Sequence, residues 1–207
     1  MMKKFIFSAL MMVAISATAA DDTKYLAGAV PEQDGIVTFT KSFSVQGKSQ
    51  QEVSAIMSRF IGKLVDESIP APGNYARILG ENQDSIVARV CEWMVFKKKP
   101  LFLDRTRFRY QIKAITSGNK VTLSISNITY YYSEDMEGNN GMLFKAEEWI
   151  SDKEALNKDK TKLYPKSGKF RRKTVDRAEE LFDAAMDAFE VPASVPAQKI
   201  RIAVREN

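Results

Sequence analysis

Two neighbouring runs, 105–117 and 120–132, constrain this chain most, because both alternate with a period of two and meet at Ser117-Gly118-Asn119. In the first, Phe108, Tyr110, Ile112 and Ala114 alternate with Arg107, Arg109, Gln111 and Lys113. In the second, Val121, Leu123 and Ile125 alternate with Thr122, Ser124 and Ser126. Successive side chains of a strand point to opposite faces, so each run has one apolar and one hydrophilic side. A Gly-Asn turn joins strands as a tight antiparallel hairpin. A sheet built on this pair needs cover on one face only.

The remaining pattern supplies that cover. Ser49 and Glu52 have the spacing of a capping box, followed by Val53, Ile56, Met57, Phe60, Ile61, Leu64 and Val65 in one helical stripe. Pro70, Pro72 and Gly73 end it. A second stripe, Val175, Ala178, Leu181, Phe182, Ala185, Met186 and Phe189, starts at Thr174 as expected N-cap. Val37, Phe39, Phe43 and Val45 alternate with hydroxyl residues in a half-buried strand, and further strands fit 76–82 and 85–96. The expected fold is α+β: an antiparallel five-stranded sheet with two helices on one face, in the order strand, helix, four strands, helix. Residues 21–33 read as a lead-in segment, 34–190 as the domain, and 191–207 as a Pro-containing linker and short tail.

The N-terminus carries an address. Lys3 and Lys4 precede an apolar run from Phe5 to Ala17, and Ala17-x-Ala19 is a cleavage signal, so 1–20 reads as a secretory signal peptide. The apolar run is shorter than the roughly twenty residues needed to span a bilayer. Without a cysteine at the cleavage point, a lipoprotein is not expected. The expected location is periplasmic or secreted, with envelope association open. Loss of Lys3 and Lys4 lowers the formal net charge from +5 to +3, too little to argue for nucleic acid. Cys91 is the one cysteine, so no internal disulfide is expected, and its apolar neighbours suggest an inert buried thiol. The chain has no histidine, which removes Ser-His-Asp and Cys-His nucleophiles and His-metal sites. No cofactor is expected.

Several stretches carry a resemblance. Asp34-Gly35-Ile36-Val37, Lys48-Ser49, Ile125-Ser126-Asn127-Ile128, Glu147-Glu148-Trp149-Ile150 and the run from Lys169 to Asp176 together resemble the DUF4468 family. These are exported domains of unknown function from Bacteroides-type bacteria, with a TBP-like fold. The resemblance implies one strand, one helix, four strands and a final helix over roughly 34–190, and no activity.

Two surfaces are candidates for binding. Lys169, Arg171, Arg172, Lys173 and Arg177 lie in a basic stretch, 158–177, that suits an anion or acts as a solvated loop with Arg bound to local carboxylates. Arg107, Arg109, Lys113, Thr122 and Ser124 mark the open sheet face. TBP itself grips DNA through its sheet, but that mode needs apolar wedges, and this face reads as hydrophilic, so nucleic acid is not expected. Ser117-x-x-Lys120 has a penicillin-binding-protein spacing but flanks a hairpin turn rather than opening a helix. The acidic loop 134–141 lacks Ca²⁺-loop spacing. Of Tyr130, Tyr131 and Tyr132, at most two share a face; they and Trp149 suit core and rim. Asp84-Ser85-Ile86 resembles a short O-glycosylation acceptor. The expectation is an exported, non-enzymatic binding domain whose partner is an envelope protein or glycan. The alternatives are a glycosidase-like carboxylate pair and anionic-polymer binding through 158–177.

Overall fold

The structure, a computed structural model, describes residues 22–68, 73–132 and 141–190. The signal segment, most of the acidic loop and the C-terminal tail lie outside the described residues. The elements are β1 (Glu32–Gln33), β2 (Ile36–Val37), β3 (Phe39–Ser44), α1 (Gln50–Ser68), β4 (Tyr75–Glu81), β5 (Ser85–Lys99), β6 (Phe102–Ser117), β7 (Lys120–Tyr132), β8 (Met142–Lys145), α2 (Ala146–Trp149), α3 (Asp152–Ala155) and α4 (Pro165–Asp187).

The main sheet is antiparallel and has six strands, one more than the alternation suggests. Its order is β3-β7-β6-β5-β4, and β8 pairs with the far half of β7, beside β3's half. β8 has only four residues, too few to show a period. β1 and β2 form a separate small hairpin.

The even residues of β6, Phe108 to Ala114, are buried in one core with Val53, Met57, Ile61 and Val65 of α1 and Phe170, Val175, Ala178, Leu181 and Ala185 of α4. Both long helices therefore cover the same face. α1 begins where the sequence expects: the Ser49 backbone N–H donates to Glu52 Oε2 at 2.8 Å. Hydrogen bonds from Ser49 hold the Glu52 carboxyl below its usual range.

α4 starts nine residues before the expected N-cap, with Pro165 in its first turn. Thr174 is a mid-helix residue, its hydroxyl 2.7 Å from Tyr130 Oη in the core. The added turns bring in Phe170, whose ring lies 4.5 Å from Phe96, 5.1 Å from Tyr130 and 5.4 Å from Tyr132. Such a fully buried aromatic contributes about 2–3 kcal/mol.

A bulge in β7 sets what each face carries. Asn127 takes φ +52° and shifts the register between Ser126 and Thr129. Before it the odd residues point inward; after it Ile128 and Tyr130 do, and Thr129 and Tyr131 turn to the uncovered face.

Candidate functional site

The uncovered face follows from this register. Arg77 of β4, Arg89 of β5, and Arg105, Arg107, Arg109 and Lys113 of β6 share it. Thr40 and Ser42 of β3 and Thr122, Ser124, Ser126 and Thr129 of β7 add a field of hydroxyls beside them. The register places no Asp or Glu among the described strand residues of this face. All five open-face residues expected from sequence, Arg107, Arg109, Lys113, Thr122 and Ser124, lie on it.

The face is less purely hydrophilic than the sequence suggests. Trp93 lies on it under two guanidinium groups, with Arg105 Cζ 3.5 Å and Arg107 Cζ 3.9 Å from its ring centroid. Arg109 Cζ is 5.8 Å from the Tyr131 centroid. Cys91, fully buried, pairs with Arg109 across the strands. Arg107 donates to the Gly73 carbonyl. At Gly141, φ +71°, an added Cβ would stand 2.7 Å from the Tyr131 ring.

Arg77, Arg89, Arg109 and Lys113 have no ion-pair partner among the described residues. Arg109 Nε is buried and has no hydrogen-bond partner there. A buried donor left unpaired costs about 1–3 kcal/mol.

The basic stretch is organised differently. Arg171 is fully buried. Its guanidinium donates to the carbonyls of Tyr25, Leu26 and Ile150 and to Asp152 Oδ1, all at 2.6 Å. Arg172 grips Asp22 with two 2.6 Å bonds, which raise its pKa. Arg177 donates to Glu92 at 2.9 and 3.1 Å and to Glu180 at 3.1 Å. Burial alone would lower the Arg177 pKa, but the bonds and charge of Glu92 outweigh it and raise it. Lys169 reaches Asp104 at 2.7 Å and the Tyr132 hydroxyl at 2.9 Å. Four of the five residues are thus tied to internal partners; Lys173 is exposed. Two of these ties hold residues 22–26 against α4, so the start of the lead-in belongs to the folded body.

Other sequence candidates fall as follows. A cleft of about 670 Å³ between β5 and α4 holds Glu92, Asp176, Glu179, Glu180 and Asp183. Arg177 binds Glu92 and Glu180, and Lys24 binds Asp176 at 2.8 Å and Glu179 at 3.0 Å. Ser117 and Lys120 are register partners at an exposed turn. Ser85 donates to Asn82 Oδ1 at 3.1 Å within a turn. Trp149 stacks on Phe144 at 4.3 Å. Among the described residues no cluster of three His, Cys, Asp or Glu is placed to hold a metal, and no helix is long and apolar enough to cross a membrane. Arg77, Arg89 and Trp93 escape the sequence reading. In β5, Cys91, Trp93 and Val95 are as apolar as Val90, Met94 and Phe96 on the other side, where Glu92 is the charged residue, so period two shows no polar open side.

Residues 39–131 match the family described as a domain of unknown function, DUF4468, with TBP-like fold. A crystal structure of a DUF4468 family protein from Bacteroides ovatus is 38% identical, with a TM-score of 0.76, over 86% of this chain and 100% of that one. A TBP-like protein from Parabacteroides distasonis is 18% identical, with a TM-score of 0.63, over 78% and 97%. No curated protein matches.

Proposed function

Because the chain belongs to the DUF4468 family, a domain of unknown function with TBP-like fold, and that membership assigns no reaction, we propose a non-enzymatic binding domain that holds an acidic glycan on the uncovered face of its sheet. The observation that carries this reading is the set of cations on that face, Arg77, Arg89, Arg109 and Lys113, without carboxylate partners among the described residues, with one buried Arg109 N–H unpaired there. Guanidinium groups bind carboxylates with strong, charge-assisted hydrogen bonds. The adjoining Ser and Thr hydroxyls on β3 and β7 both donate and accept, as sugar hydroxyls do. An acidic polysaccharide presents both chemistries along an extended chain. The leader-like residues 1–20 support action in the periplasm or at the cell envelope, where such polymers are met.

Affinity electrophoresis through polygalacturonate, with duplex DNA as a second polyanion, tests it. The parent should be retarded by polygalacturonate more than by DNA at equal concentration of charge, although the duplex is the denser polyanion, and the pair Arg89→Glu, Lys113→Glu should run free. Equal retardation by both polymers would reduce the interaction to net charge. No retardation by polygalacturonate removes the reading.

A further inference from the structure

β5 and β6 outrun the sheet that contains them. β4 pairs with β5 only as far as Cys91, and β7 pairs with β6 only as far as Thr106. Beyond those points, among the described residues, Val95–Lys99 and Phe102–Arg105 pair only with each other. Phe96 still packs on Phe170, and Asp104 is bound by Lys169 and Tyr132. A strand rises about 3.3 Å per residue, so among the described residues the tip beyond them, Lys97 to Leu103, stands clear by roughly 7–10 Å.

The composition of that tip is unusual for a solvent-exposed turn. Leu101 is 108% exposed, Phe102 51% and Leu103 47%. Leu101 sits at φ +63°, after Pro100, where Gly or Asn is at ease and a branched apolar side chain is strained. Neither packing nor turn chemistry calls for leucine there. Lys97, Lys98 and Lys99 on the adjoining strand are all exposed and have no ion-pair partner among the described residues. Asp104, the cross-strand partner of Lys97, is held by Lys169 and Tyr132, and Glu92 by Arg177. Met142 and Leu143, also exposed, start β8 at the same end of the sheet, since Met142 aligns with Tyr132 and Thr106.

We propose that this hairpin tip is a membrane finger: Leu101, Phe102 and Leu103 enter the headgroup boundary of a phospholipid bilayer, and Lys97–Lys99 bind its anionic headgroups. Three apolar side chains at a projecting tip give a small insertion energy on their own. Lysines beside them select a negatively charged surface, and each raises partitioning about fivefold. Their aliphatic stems lie along apolar surface while the ammonium groups stay in water. An acidic or neutral collar would give no such selection. This site is separate from the glycan face, at the end of the sheet rather than on it.

Co-sedimentation with vesicles of phosphatidylethanolamine and phosphatidylglycerol, against phosphatidylcholine alone, tests the finger. The parent should sediment with the anionic vesicles only. The triple variant Lys97→Gln, Lys98→Gln, Lys99→Gln should lose about a hundredfold in partitioning. Leu101→Asp with Phe102→Asp should lose at least tenfold. Circular dichroism should be unchanged in both, because all five positions are exposed, and polygalacturonate retardation should persist. Equal sedimentation of parent and variants overturns the proposal, as does equal binding to phosphatidylcholine. Concentration-dependent self-association abolished by the Leu101, Phe102 variant would overturn it in favour of a second copy of this chain.

Discussion

The cations of α4 and those of the uncovered sheet face are the same residue types in opposite circumstances. On α4, Arg171, Arg172, Arg177 and Lys169 reach inward and close on carbonyls, Asp152, Asp22, Glu92 and Asp104. On the sheet, Arg77, Arg89, Arg109 and Lys113 lie on one face with no carboxylate placed among them by the described strands. The first set fastens the lead-in and α3 to α4 and α4 to the sheet. The second makes no such ion pair among the described residues, whose strands put only cations on that face. A run of basic residues in sequence is therefore a poor guide to a basic surface; the register of the strands is a better one.

The contrast breaks first, if it breaks, at Arg171. Arg171→Leu strips four hydrogen bonds from a fully buried site and leaves three carbonyls and Asp152 without their donor. The expected loss is about 3–5 kcal/mol in urea unfolding, and Arg171→Lys should recover little because one ammonium cannot reach the same fork. A loss below about 1 kcal/mol would show that the helix-side cations are not fasteners.

Alkali probes the same side. Burial pushes Tyr110 up, reinforced by the charge of Glu92, and pushes Tyr130 up although its bond to Thr174 opposes this. A phenol with a folded pKa above its ordinary value of 10 lends stability that is complete below pH 10 and lost as pH rises toward the folded value. Unfolding free energy should be flat to about pH 10 and fall beyond it, with these two phenols ionising only as the fold melts. Absorbance showing all seven tyrosines ionised in a folded protein would contradict this.

A smaller effect is expected on the sheet face. Gly141→Ala must hold φ +71° with its Cβ against the Tyr131 ring, a cost of about 1–2 kcal/mol. Thermal unfolding checks it, and an unchanged midpoint would mean Tyr131 swings aside freely. Smallest of all, Arg89→Glu should change stability by less than about 0.5 kcal/mol while its retardation by polygalacturonate falls. A large destabilisation would make Arg89 a structural residue like Arg171.

The hairpin of β6 and β7, the α1 cap and the one-sided helices were legible because each rests on a local period or a local hydrogen bond. Tyr131 parted from Tyr130 and Tyr132 as alternation requires. The early turns of α4 were not legible: its buried stripe includes Ser167, Gly168, Arg171 and Thr174, whose burial depends on partners distant in sequence. β5 hid its open side because Trp93 and Cys91 look like core residues. The projecting tip was invisible for a related reason, since only the pairing limits of β4 and β7 among the described residues show that Leu101 is left exposed.

The direct test of the uncovered face as the ligand surface is amide chemical-shift mapping during titration with a short oligogalacturonate. Shifts should concentrate at Arg89, Arg109, Lys113 and Ser124, on adjacent strands of that face. Shifts gathered instead around Lys173 and the 158–166 segment, with the strands silent, would contradict it.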